Sequence, residues 1–129
     1  MRLLARLFAL MLGALPLAVE AQPVAWPQLP HQGFIRGRAA TKADVSAGNA
    51  VFVASQDAVG EAIISRPIAI TIPQYAYFND DGRKLPVVVV QAEEARGKQL
   101  VGARDLDGKP IVGFITDFEL LGNVSPKAR

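Results

Sequence analysis

Apolar positions recur along this chain with a period of two and in short runs, a strand pattern rather than a helical one. Residues 33–40 alternate, with Phe34, Arg36 and Arg38 on one side and Ile35, Gly37 and Ala39 on the other, which predicts a strand with one polar face. Ala50-Val51-Phe52-Val53-Ala54 is a short apolar run rich in β formers and predicts a second strand. The clearest alternation is Pro67-Ile68-Ala69-Ile70-Thr71-Ile72-Pro73, with the three isoleucines on one face and a proline at each end, where a missing N–H is tolerated. Tyr75-Ala76-Tyr77-Phe78 continues extended. Val87-Val88-Val89-Val90 places four β-branched residues in a row and predicts a strand buried on both faces. Residues 99–104 and 110–116 predict a pair of strands, and 117–122 a closing one.

The punctuation between these runs is polar and glycine-rich. Asn79-Asp80-Asp81-Gly82 is a strong turn signal, and Asp107-Gly108 predicts a type I′ hairpin turn because both residues accept positive φ. Asp44 can cap a short helical turn over 45–47 that Gly48-Asn49 ends. Residues 91–98 carry Glu93, Glu94 and Arg96 before Gly97 and read as a short helical turn or a long loop. No amphipathic stretch of helical period is long enough to make a real helix. The expectation is a mostly β domain, either a small antiparallel β-barrel or a compact β-sandwich, with one or two short helical turns. The short strands, the diverging turn at 44–48 and the late Asp-Gly hairpin make it similar in rhythm to SH3-like barrels. That likeness is architectural and implies no activity.

The first 21 residues follow another rule. Arg2 and Arg6 precede the apolar run 7–15, Pro16 breaks it, and Val19-Glu20-Ala21 offers small or medium residues to signal peptidase. The run is shorter than the roughly 20 residues a spanning helix needs, so the reading is a leader cleaved after Ala21 and a periplasmic or secreted protein with no integral membrane segment left. Residues 22–32 hold Pro23, Pro27 and Pro30 around Trp26 and Leu29 and read as an extended arm, with Trp26 either docked on the core or offered to a partner. Residues 33–122 are then a single β domain and 123–129 a frayed tail.

Charge and chemistry narrow the function classes. The chain has 129 residues, with 14 basic and 12 acidic side chains. Loss of Arg2, Arg6 and Glu20 with the leader leaves a near-neutral, interspersed surface that gives no field for nucleic acid. There is no cysteine, so disulfides, thiolate metal sites and thiol nucleophiles are excluded, and stability rests on the core. His31 is the only histidine and sits in the proline-rich arm. The serines lack a nucleophile-elbow setting, and the acidic turns lack the ligand spacing of a calcium loop. No catalytic residue, metal site or cofactor is assigned. The candidate binding surface is Tyr75 and Tyr77, which share a face, with Arg36, Arg38 and Trp26, since tyrosine, tryptophan and arginine dominate binding hot spots. The function expected is a non-catalytic binding or inhibitory module facing another protein, in its concrete form an immunity-type protein against a periplasm-acting toxin. One alternative is an envelope factor binding peptidoglycan or an outer-membrane complex. Another is a hydrolase built on Asp105, Asp107 and Asp117, should these converge at one end of a hairpin.

Overall fold

The computed structural model describes residues 25–30, 34–55, 59, 62–124 and 126. The expected leader and His31 lie outside them. The elements in chain order are a helical turn α1 (Lys42–Ser46), β1 (Ser65–Pro67), β2 (Gln74–Asp80), β3 (Arg83–Ala95), β4 (Lys98–Asp105), β5 (Pro110–Phe114), a 3₁₀ turn (Ile115–Asp117) and β6 (Phe118–Gly122). The strands form one six-stranded antiparallel sheet in the order β5-β4-β3-β2-β6, with β1 pairing on β3 beside β2.

Turn chemistry sets the hairpins. Asp81 and Gly82 both take positive φ, 55° and 88°, and close β2 onto β3 with Asp80 opposite Arg83. This is the primed turn whose twist suits flanking strands. Arg96 and Gly97 repeat it between β3 and β4, at 52° and 77°. The strand therefore runs on to Ala95 and turns sharply, where a helical turn or long loop was expected from 91 to 98. The 106–109 connection differs from expectation in type. Only Gly108 has positive φ, Gly108 N–H donates to Asp105 O, and the Asp105 carboxylate accepts from the Asp107 and Lys109 N–H groups. A type I turn followed by a left-handed glycine results, because the Asp105 side chain satisfies the loop amides that a two-residue turn would pair.

The sheet is strongly curled. β5 and β6 lie at opposite ends of the strand order, four spacings apart, which would be about 19 Å if flat. The 3₁₀ turn between them rises only about 2 Å per residue and cannot cross that gap. Gly113 of β5 shows the closeness directly. A Cβ there would lie 3.1 Å from a ring carbon of Phe78 on β2 and 3.2 Å from one of Phe118 on β6. The expected antiparallel β architecture is present, but β5 and β6 are not hydrogen-bonded to each other and the ladder is not closed.

Both faces are covered. On one, Ala76, Val87, Val89, Ala92, Val101, Ala103 and Phe118 form a buried cluster, joined by Ile68, Ile70, Ile72 and Phe78. On the other, Tyr75, Val88 and Val90 lie beneath Trp26, Leu29, Phe34, Val51 and Leu121. The four valines alternate between these clusters, as the run predicts, and each buried valine is worth about 1.5–2 kcal/mol. Three predicted strands are corrected. Residues 34–40, 50–54 and 68–73 have no ladder pairing. The three isoleucines do share a core-facing side, so their alternation is real. The segment instead turns on itself, with Ile70 N–H donating to Ile68 O. The helical turn spans 42–46 with Thr41 as its cap, and Asp44 takes the third position of a capping box rather than the cap itself.

Candidate functional site

The feature that organises the site is a break in the β1–β2 lane. Pro67 faces Glu93 and Gln74 faces Val89, so six residues of one lane, 68–73, run past three of β3, 90–92. The surplus chain leaves the sheet and bows outward. The 34–38 segment passes over the same region, and a cleft of about 840 Å³ remains between them, lined by Phe34, Arg36, Arg38, the 67–73 segment and Gln91 to Glu93. Arg36 reaches across, donating from Nη2 to Ile72 O at 2.6 Å.

A bulge on β3 supplies the polar part of the cleft. The register with β4 shifts between Val89 and Gln91, leaving Val90 as the extra residue. Such an insertion flips the side-chain alternation that follows it. Gln91 and Glu93 thereby join Val88 and Val90 on the face covered by the N-terminal segments. Gln91 is fully used: its Oε1 accepts from Val51 N–H at 2.7 Å and Phe52 N–H at 3.1 Å, and its Nε2 donates to Phe52 O at 2.8 Å and Glu93 Oε2 at 2.6 Å. These bonds stand in for the ladder that residues 50–54 lack. Glu93 is 2% exposed, and its Oε2 also accepts from Ala40 N–H at 3.0 Å. Its other oxygen, Oε1, is shielded from solvent and has no hydrogen-bond partner.

The residues singled out from the sequence are distributed unevenly around this site. Arg36 and Arg38 are both exposed and both line the cleft. Arg38 grips Asp44 with two Nη–H···O bonds of 2.8 and 3.0 Å. Those bonds, followed by the Thr41 N–H, hold the Asp44 carboxyl well below the usual carboxylate range, and the same pairing raises Arg38. Tyr75 does not look outward: it is buried, with Trp26 edge-on at 5.6 Å between ring centroids. Tyr77 is half-buried against the same indole at 5.0 Å, with the Lys84 ammonium over its ring at 5.5 Å. Lys84 is pushed up by its hydrogen bond to Glu119 and then by that group's charge. Trp26 is thus docked on the tyrosine face. It also walls a second cavity of about 460 Å³ with Phe34, Val88, Val90, Arg104 and Leu106.

Gln91 and Glu93 were not singled out from the sequence, because a Glu-Glu pair before Arg-Gly reads as a solvated turn. The usable signal was the strand at 99–104, which needs a partner directly before the Arg96-Gly97 turn. Asp105 and Asp107 do not meet Asp117. All of β5 lies between them, about 17 Å of strand, and each of the Asp105 and Asp117 side chains caps a nearby backbone N–H. Among the described residues, no three histidine, aspartate or glutamate side chains cluster in a way that could hold a metal, and no helix is long and apolar enough to cross a membrane. Comparison with protein-family models, curated proteins and solved structures finds no match.

Proposed function

We propose that the chain is an exported, non-catalytic binding module of the bacterial periplasm that holds another protein by surface complementarity, with an immunity-type inhibitor as its concrete form. The observation that carries this reading is the cleft, whose lip presents the exposed guanidinium groups of Arg36 and Arg38. Arginine at the edge of a concave surface is a common anchor for a partner segment: Arg36, bonded to a neutral carbonyl, keeps its charge for such a contact, and Arg38 gives one by exchanging Asp44 for a partner carboxylate. The positive-then-apolar leader supports export, and small or medium residues at Val19 and Ala21 support cleavage.

The test is capture of a partner from periplasmic extract by the tagged chain, with Arg36→Ala/Arg38→Ala alongside. A single protein should be retained in stoichiometric amount, and the double variant should lose retention by about tenfold or more. Absence of any captured protein defeats the reading, and equal capture by the variant removes the cleft from it. Mass spectrometry of the purified chain should find Gln22 at the N-terminus; a chain that keeps its leader and remains in the cytosol sinks the location.

A further inference from the structure

We infer that the cleft holds a cation subsite, in which Glu93 Oε1 accepts a basic side chain, lysine or arginine, inserted by the partner. The inference rests on the reading that the cleft receives a partner segment. Its basis is a mismatch in the protein's own pairing. Burying a carboxylate is costly unless hydrogen bonds and opposite charge compensate it. Glu93 has part of that compensation: Ala40 N–H and the Gln91 amide both point at Oε2. Both are neutral donors and both serve the same oxygen. Oε1 receives nothing, although Glu93 is only 2% exposed and is part of the cleft wall.

The basic groups of the lip do not complete it. Arg38 is committed to Asp44, and Arg36 to the Ile72 carbonyl. Phe34 lines the same cleft, on the sheet face that Glu93 shares with Val88 and Val90, and offers apolar surface to the aliphatic stem of a basic side chain. Lysine and arginine bury such a stem along apolar surface while placing the charge at its end. Oε1 is covered when the cleft is empty, so entry requires wall side chains to change rotamer, the commonest kind of adjustment at interfaces. Arg36, whose bond is to a neutral carbonyl, keeps its charge at the lip and favours an acidic neighbour beside the inserted cation.

The experiment uses the full chain expressed with its own leader, purified and ¹⁵N-labelled. The probe is Nα-acetyl-lysine methylamide, with its Nζ-acetyl derivative as the uncharged counterpart. Ala40 N–H and the Gln91 side-chain amide report directly, because both touch Glu93. The charged probe should shift both resonances and saturate at millimolar concentration, on the order of 1–10 mM for a single charge-assisted contact. The acetylated probe should bind at least about tenfold more weakly, and so should the charged probe on Glu93→Gln. No shift with the charged probe, equal shifts with the acetylated one, or unchanged affinity in a folded Glu93→Gln each overturns the subsite. Should Glu93→Gln fail to fold, the two probes on the wild-type chain decide alone. A partner captured equally by Glu93→Gln, with no probe binding, removes the subsite and leaves the binding module standing. Probe binding without any captured partner does the reverse.

Discussion

Gln91 and Glu93 turn to the same side of one strand and share a 2.6 Å hydrogen bond, and between them they tie two separate backbone segments to the sheet. Gln91 anchors Val51 and Phe52, and Glu93 anchors Ala40. The described residues up to 54 have no ladder pairing, so these side chains do for them what strand neighbours do elsewhere. Gln91→Leu keeps the volume and leaves two N–H groups and one carbonyl without partners. At about 1 kcal/mol for each unmet group, the expected loss is roughly 2–4 kcal/mol. Urea unfolding checks this, and a loss under about 1 kcal/mol would mean that the groups find other partners.

Gly113 is glycine because the curl leaves no space there. A Cβ would meet Phe78 and Phe118 ring carbons at 3.1 and 3.2 Å and the Asp117 carboxylate at 3.1 Å. Gly113→Val should cost about 1–3 kcal/mol by overpacking. The change is measured as a lower unfolding midpoint, and a neutral result would show that the two rings can separate.

The Arg38–Asp44 pair makes stability depend on pH. Asp44 titrates lower in the folded chain than in the unfolded one, so the unfolded state takes up protons first as pH falls. Its contribution is complete above the ordinary aspartate value near 4 and declines steadily below it. Thermal unfolding of wild type and Asp44→Asn should therefore differ most at pH 6–7 and converge toward pH 2. A difference that grows on acidification would reverse the sign and reject the assignment.

Trp26 is the only tryptophan, and its indole touches both Tyr75 and Tyr77. Intrinsic fluorescence consequently reads the docking of the arm. Trp26→Ala should destabilise by about 1–3 kcal/mol, less than a fully buried aromatic because the indole is half-buried. A double-mutant cycle with Tyr75→Ala should give a coupling of about 0.5–1.5 kcal/mol. Zero coupling would show that the ring contact carries no energy of its own.

The local features of the fold were legible in advance. Asp81-Gly82 forms its primed turn because those two residues tolerate left-handed backbone, and the valine run alternates between two cores because β-branched residues in sequence demand it. Arg96-Gly97 makes an equivalent turn without the usual dipeptide, so its local residues carry no hairpin signal. The candidate site was half legible. Arg36 and Arg38 do line a cleft, whereas Tyr75 faces an indole instead of solvent.

By itself the sequence determined what depends on a few neighbouring residues: β-rich composition, the places where the chain reverses, which isoleucines share a side, and a core without cysteine. Tertiary structure alone decided which alternating segments found a ladder partner, and the segments 34–40, 50–54 and 68–73 found none. It also decided the parity of β3 beyond the bulge. One extra residue at Val90 turned Gln91 and Glu93 from an apparent solvated turn into the buried polar floor of a cleft. Register is set by contacts between distant segments, and side-chain direction follows register, so neither can be read from the residues on either side.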